Sequence, residues 1–483
     1  MHPLLIILEI LYVLFVIGVC LKIIFDTDSP SKSIAYILFI IIVPIIGVAF
    51  YFAVGFNYKK HKIYSKKIIS DKKQFEEINQ RIIDYTSVYN NIFEQEFDSA
   101  YTGISKMLYN DTGMLNTKHN EVQLLVNGEE KYPELLSSLK NAKNHIHIEY
   151  YIYDNDTIGN EIADILIAKA KEGLEVRMIY DDFGSNKIRR KFVKRLKENG
   201  VEVYPFFKIL FINFANRLNY RNHRKIVVID GHIGFVGGIN IADNYDNTRN
   251  NSYWRDTHLK IVGESVSFLQ SIFIADWNFC SGKKIEIKNE YFNLSEDKSK
   301  QETWTQIVPS GPDSENPAIY YTYLQALHIA QEKILITTPY FIPSVDFIAA
   351  LKMAVLRGVE VILLIPGKGD SLFVNIASQS FYEDLLKNGI KIFRYKKGFV
   401  HAKTMVVDDV LSLVGTANLD NRSFNLNFEI NALVYNKDFA MKLAKTFYSD
   451  LENSYELTYD RWLNRPFYIK IFEKISKLFS ALL

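Results

Sequence analysis

The feature that most constrains this chain is a string that occurs twice. His223-Arg-Lys225-Ile-Val-Val-Ile-Asp230 is followed by Gly237, Gly238 and Asn240, and His401-Ala-Lys403-Thr-Met-Val-Val-Asp408 by Gly415, Thr416 and Asn418. Every matched pair is offset by 178 positions. The surroundings repeat as well, since Gly173-Leu-Glu-Val-Arg answers to Gly358-Val-Glu-Val-Ile and Asn199-Gly-Val-Glu-Val to Asn388-Gly-Ile-Lys-Ile. Self-similarity on this scale signals two copies of one folding unit, with the linker expected in the polar stretch 283–303.

Within the first copy, strand-like runs at 145–153, 175–180 and 201–206 alternate with helical patterns at 159–171 and 188–199, which predicts α/β wiring. On a strand, residues two apart share a face, so the His and Lys of each string converge on one pocket while the residue between them faces away. The runs 226–229 and 404–407 read as core strand. Asp230 and Asp408 then fall where strand meets turn, a place to fix a loop rather than to attack. The Gly237-Gly238 and Gly415-Thr416 pairs allow close backbone approach beneath Asn240 and Asn418, whose amides can donate to phosphate oxygens.

Two imidazoles, two ammonium groups and two amides from a pseudo-twofold pair of half-sites suit a phosphodiester. The cations and amides stabilise charge on a pentacoordinate phosphorus, one imidazole attacks, and the other protonates the leaving alcohol. No metal or other cofactor is expected: an adjacent ammonium repels a cation, and no third ligand is spaced nearby.

The amino-terminal region is apolar. Residues 4–25 carry only Glu9 and Lys22, and 34–56 carry no charge, so each stretch is long enough to cross a ~30 Å hydrocarbon core. Two transmembrane helices are predicted. Residues 57–75 hold seven lysines against Asp71, an excess that places this flank and the rest of the chain on the cytoplasmic side of the cell membrane. Over the whole chain the charge is balanced, 57 Lys+Arg against 55 Asp+Glu in 483 residues, and aromatics do not interleave with a basic stripe; no nucleic-acid partner is expected. The two cysteines, Cys20 and Cys280, exclude a disulfide framework. The basic, apolar segment 206–220 is read either as a dip toward lipid or as an ordinary packed element. At the end of the chain, Tyr468, Ile471, Phe472, Ile475, Leu478, Phe479 and Leu482 share one helical face, which suits either a membrane surface or the domain's own core. The remaining histidines, among them His145, His147, His232, His258 and His328, are read as hydrogen-bonded structural residues.

The paired strings resemble the double His-Lys-Asp signature of the phospholipase D superfamily, and their surroundings narrow the resemblance to the bacterial cardiolipin synthases. It extends to Pro44-Ile-Ile-Gly47-Val-Ala-Phe-Tyr51-Phe-Ala-Val-Gly55, to Trp254-Arg255-Asp256-Thr257-His258 and to Thr338-Pro339-Tyr340-Phe341. It also takes in Asn418-Leu-Asp420-Asn-Arg422-Ser423-Phe424 with Asn427-Phe428-Glu429. Asn57 departs from the pattern, where a basic residue is expected.

The resemblance implies two fused phospholipase D-like repeats forming one pseudo-twofold site behind a membrane hairpin. Two phosphatidylglycerols in an anionic membrane would be joined into cardiolipin, with release of glycerol, through a covalent phosphatidyl-histidine. It also implies His223 as nucleophile and His401 as acid, with Lys225, Lys403, Asn240 and Asn418 on the phosphate. Asp256 and Glu429 would orient the imidazoles, and Asp230 and Asp408 complete the motif. The expected segments are a hairpin at 1–56, a basic juxtamembrane segment and linker at 57–120, repeats at 121–300 and 301–460, and an amphipathic helix at 461–483. A hydrolase using water as acceptor, phospholipase D or nuclease, and a non-catalytic lipid-binding scaffold are the competing readings.

Overall fold

The alternation of the motif strands dictates how the repeats are layered. In a computed structural model, which describes residues 3–27, 30–52, 80, 88–207, 220–250, 252–292 and 301–479, Val227 and Ile229 face one core while Ile226 and Val228 face another. A strand apolar on both faces must be covered on both, which is the arrangement of a central strand in a layered α/β protein.

The first sheet draws on β1 (Asn120–Val126), β2 (His145–Tyr150), β3 (Glu175–Tyr180), β4 (Glu202–Pro205), β5 (Lys225–Ile229) and β6 (Ile233–Gly237). A two-residue strand, β7 (Trp254–Arg255), precedes its last member, β8 (Thr257–Gly263). The second repeat supplies β9 (Trp304–Ser310), β10 (Lys333–Thr337), β11 (Phe341–Ile342), β12 (Glu360–Pro366), β13 (Lys391–Tyr395), β14 (Phe399–Val400) and β15 (Thr404–Val407). It continues with β16 (Leu411–Gly415), β17 (Leu419–Asp420), β18 (Glu429–Tyr435) and β19 (Ser454–Leu457). The order β1-β8-β6-β5-β2-β3-β4 is matched by β9-β18-β16-β15-β10-β12-β13, to which β19 adds an edge. In both sheets the central motif strand runs antiparallel to a parallel trio, β2-β3-β4 or β10-β12-β13. The duplication read from sequence is thus a duplication of topology.

Helices fill the spaces. The amino-terminal α1 (Pro3–Asp26), α2 (Pro30–Ile42) and α3 (Pro44–Phe50) pack on one another through Val19, Ile23, Tyr36, Ile40 and Tyr51. In the first repeat α4 (Val266–Ser281) is buried along most of its length. The second repeat carries α5 (Leu372–Lys387) and α6 (Lys437–Glu452), the latter started by Asn436, whose side chain accepts from the Phe439 N–H. The last helix is α7 (Phe467–Phe479).

One core belongs to both repeats. Ile226, Val228, Val236 and Leu259 of the first sheet share it with Ile307, Leu335, Val406, Val414 and Ile430 of the second, along with residues of α4 and α6. Each such buried aliphatic contributes about 1.5–3 kcal/mol, so the repeats are held together as firmly as a domain interior.

Three expectations change. The uncharged stretch 34–56 is not one continuous span: the helix breaks at Val43 (φ −134°, ψ 75°), because Pro44 has no N–H to give and pushes the preceding residue out of helical geometry. Among the described residues one helix, α1, is long and apolar enough to cross a membrane. Helices at Val88–Glu96 and Ser99–Thr112 occupy what was read as linker, and Phe93, Tyr101, Ile104 and Leu108 pack into the second repeat's core. The lysine-rich residues 57–75, segment 208–219 and linker residues 293–300 lie outside the described residues.

Candidate active site

Each motif histidine lies just ahead of its strand rather than within it. β5 starts at Lys225 and β15 at Thr404, because the histidine backbones are paired elsewhere. His223 N–H donates to the Phe428 carbonyl at 2.9 Å and His401 N–H to that of Arg255 at 2.7 Å. Both partners belong to the opposite repeat. The tiny parallel pair β7-β14 locks the same crossing on the His401 side.

The side chains cross over too. His223 Nδ1 lies 2.9 Å from Glu429 Oε2, and His401 Nδ1 lies 2.7 Å from Asp256 Oδ2. Each imidazole is therefore oriented by a carboxylate of the other repeat, and neither half-site is complete alone. Asp256 reaches its histidine because Gly238 leaves room: a Cβ there would sit 2.1 Å from Asp256 Oδ1. Asp256 is anchored further by the Asn127 side chain, which accepts from its backbone N–H, and Glu429 by Asn427, which donates to Oε1 at 3.2 Å.

The lysines are buried beside the rings. Lys225 Nζ donates to the His223 carbonyl at 2.7 Å, and Lys403 Nζ to that of His401. Lys403 Nζ also stands 2.9 Å from His401 Nδ1, a contact with no counterpart at His223 among the described residues. Arg224, between His223 and Lys225, turns away to Asp276 of α4 and the Glu429 carbonyl, and Ala402 is fully buried.

Electrostatics follow from this packing. Burial lowers the His223 pKa; Glu429 opposes the effect and Lys225 adds to it. His401 is pushed down to about 3 by burial and by the Lys403 ammonium, against Asp256. Lys225 falls to about 7 and Lys403 to about 8, chiefly by burial, with Glu429 and Asp256 respectively holding them up. Burial alone would raise Asp256, but Lys403 and His401 keep it below the ordinary carboxylate value. Lys403 also acts on His223, and Lys225 on His401, so the two half-sites lie close enough for each lysine to act on the other's imidazole. Burial and the two lysines thus favour the neutral form of both imidazoles. A phosphodiester bound between them would add negative charge and favour protonation of a ring.

The remaining expected residues separate into two groups. Asp230 and Asp408 lie at the far ends of the motif strands, both with left-handed backbone (φ 52° and 51°). Asp230 accepts from the N–H groups of Lys143, Asn144 and His145 at 2.7–3.1 Å, and Asp408 from those of Gln331, Glu332 and Lys333 at 2.8–2.9 Å. They clamp equivalent loops and do not reach the imidazoles, which removes them from the reacting set. Asn240 is also committed: Oδ1 accepts from Ile152 N–H and Nδ2 donates to the Tyr245 hydroxyl at 2.6 Å. One Nδ2 hydrogen is thus used, and the second is the donor left for a phosphate. Asn418 is buried with its Oδ1 unpartnered.

Aromatic rings absent from the sequence reading line the site. Tyr151 stands edge-on to His223 with centroids 4.7 Å apart, while Trp254, Phe399 and Tyr245 surround His401 at 5.4, 5.9 and 6.0 Å. Their place beside the motifs in space has no spacing signal, although Trp254 lies within a quoted string. Of the histidines read as structural, His145 and His147 share Gln270, and His232 and His328 meet backbone carbonyls. His258 departs from that expectation: it is fully buried and neither ring nitrogen has a hydrogen-bond partner among the described residues.

Comparison with known proteins shows the family. The family model described as cardiolipin synthase, PLD-like domain, matches residues 135–277 and 323–451, one segment in each repeat and together more than half of the chain. A cardiolipin synthase of Alkalihalophilus pseudofirmus is 38% identical over 482 residues, covering 99% of this chain and 94% of that relative. The major cardiolipin synthase ClsA of Bacillus subtilis is 40% identical over 488 residues, covering 99% of each. The crystal structure of a phosphatidylserine synthase from Haemophilus influenzae superposes with a TM-score of 0.60 at 14% identity, covering 80% of this chain and all of that one, a likeness of fold. The chain belongs to the cardiolipin synthase family of phospholipase D-like proteins.

Proposed function

We propose that this chain is a phosphatidyltransferase that joins two phosphatidylglycerols into cardiolipin and glycerol. The reciprocal pairing of each imidazole with a carboxylate from the other repeat carries the reading, because it builds one two-imidazole site next to two buried ammonium groups. Family membership supplies the substrate class.

His223 is the nucleophile. Glu429 accepts from Nδ1–H, which leaves the lone pair on Nε2 to attack phosphorus. The P–O bond to glycerol breaks, and the departing oxygen takes a proton from His401. In the second half the hydroxyl of another phosphatidylglycerol returns a proton to His401 while its oxygen attacks the phosphatidyl-histidine, releasing cardiolipin and restoring both rings. His401 suits the proton-carrying role because Asp256 accepts from its Nδ1–H and steadies the charged ring while Nε2 gives and takes the proton, and Lys403 beside Nδ1 favours the ring's return to neutral. Lys225, Lys403 and Asn418 hold the phosphate, and Asn240 holds the loop beside it.

The protein works at the cell membrane, as a multi-pass anchor with the catalytic repeats on the cytoplasmic side. The length of α1, its outward apolar surface and the lysines of residues 57–75 support that placement. Membranes supplied with phosphatidylglycerol alone test the chemistry. Cardiolipin with glycerol is the expected outcome; phosphatidic acid with glycerol would make water the acceptor and the chain a hydrolase.

A further inference from the structure

An amphipathic helix on a soluble domain ordinarily hides its apolar face. The final helix, α7, does the reverse. Phe467, Tyr468, Ile471, Phe472, Ile475 and Leu478 are 43–76% exposed, whereas Glu473 and Ser476 are buried against the domain. This orientation is fixed by charge: Arg465 grips Glu473 at 2.6–3.2 Å and reaches Glu383 of α5 at 3.0 Å, and Lys477 lies over the Phe381 ring at 4.8 Å. Turning the helix over would break the buried Arg465–Glu473 pair, so the outward apolar face is a built feature.

We propose that α7 is a second membrane contact, lying in the headgroup layer of an anionic phospholipid bilayer. Charge complementarity selects that occupant. Lys474 and Lys477 are exposed along the helix, Lys470 is half-exposed, and its single acid, Glu473, is consumed by Arg465. The supporting helix connects the contact to the chemistry. α5 carries α7 on its middle turns, while its first turn exposes Leu372 and Phe373 beside Asp370, which bonds Tyr340 at 2.5 Å and acts on Lys403. Docking α7 thereby sets the catalytic repeats at a fixed tilt to the bilayer, with apolar residues near the site facing the lipid that holds the substrate. The inference rests on the proposed lipid substrate, but its test reads position rather than turnover.

The full chain, with Cys20→Ser and Cys280→Ser, carries a single label of environment-sensitive fluorophore at Phe472→Cys or, as control, at exposed Lys194→Cys. It is reconstituted in phosphatidylcholine vesicles with and without phosphatidylglycerol. A shallow nitroxide lipid should quench position 472 several-fold more than position 194, and more so with phosphatidylglycerol present. Equal quenching at the two positions overturns the proposal. A blue-shifted label that nitroxide lipid does not quench also overturns it, since protein, such as a second copy of this chain, then covers the face. In a second variant, Ile471→Glu with Ile475→Glu, cardiolipin formation from vesicles should fall about tenfold while turnover of a monomeric short-chain phosphatidylglycerol stays within about twofold. Loss on both substrates sinks the interfacial role. Quenching at 472 in a chain that makes no cardiolipin leaves this inference standing and removes the functional one.

Discussion

At His223 one carboxylate, Glu429, meets Nδ1; at His401 Asp256 and the Lys403 ammonium meet the same atom from two sides. The sheets around them have matching strand order, and the crossing backbone bonds are equivalent. Duplication therefore delivers the shell of the site, and the proposed roles put the proton carrier at the ring that has one extra local contact. Two imidazoles with the same surroundings would compete for the same role. On that proposal, the difference at Nδ1 divides the labour without altering the fold.

The largest effects should break that division outright. His223→Ala and His401→Ala should each lower cardiolipin formation by roughly 10³-fold or more, because the rings act as one unit. Trapping separates them: with a phosphodiester bearing a good leaving group, His401→Ala should still become covalently labelled and His223→Ala should not. Labelling of His223→Ala alone would exchange the two roles. Next come the carboxylates. Glu429→Gln and Asp256→Asn should each cost about 10²–10⁴-fold. Rapid-quench kinetics should show Glu429→Gln slowing formation of the labelled enzyme and Asp256→Asn slowing its resolution. If both variants slow the same step, the half-sites are not specialised.

Dependence of each half on the other is a stability statement as well. Arg255, which carries the carbonyl that receives His401 N–H, is paired with Asp450 of α6 at 2.8 Å in a nearly dry setting. Removing one partner of such a pair costs about 3–5 kcal/mol. Asp450→Ala should lower the Tm of the full chain in detergent by several degrees and weaken activity, although it lies outside the reacting set. An unchanged Tm would show that the shared apolar core holds the repeats without this link.

A milder probe is pH. Lys225 and Lys403, lowered to about 7 and about 8, must be charged to hold a phosphate. Their ammonium form is present below those values and lost above them, so kcat/KM should fall as pH rises through about 7 to 8. His223, held below its ordinary value of 6.5, is neutral above that value and should impose no loss there. Lys225→Arg, which keeps its charge, should move the falling limb upward in any activity it retains. A wild-type profile flat to about pH 9 would mean the lysines stay protonated or are dispensable.

The legible part of this site is what the duplication repeats at constant spacing. His223 and His401, their lysines and the loop-clamping Asp230 and Asp408 could be placed from one string compared with the other. Asp256 and Glu429 lie 145 and 206 residues from the rings they orient, in the opposite repeat, so no local pattern links them; family resemblance named them. Strands β7 and β14 are two residues long, too short to show alternation, and yet they seat His401. The break at Val43 shows the converse: hydropathy read 34–56 as one span because a proline carries no charge, while backbone geometry responds to the missing N–H.

The smallest expected difference lies between the two asparagines, which the sequence presents as equals. Asn240 has its amide oxygen on Ile152 N–H and its nitrogen on Tyr245, so Asn240→Ala should strand buried partners and cost about 1–3 kcal/mol of stability. Asn418 has its Oδ1 unpartnered among the described residues, which gives it little to lose in folding, and its Nδ2 is the atom able to donate to a phosphate. Asn418→Ala should therefore leave the Tm nearly unchanged while lowering kcat/KM about tenfold, the worth of one hydrogen bond to an anion. Thermal melts and kinetics on the same two preparations separate the cases. Equal losses of stability would mean that Asn418, like its counterpart, is a structural clamp, and that the lysines alone hold the phosphate.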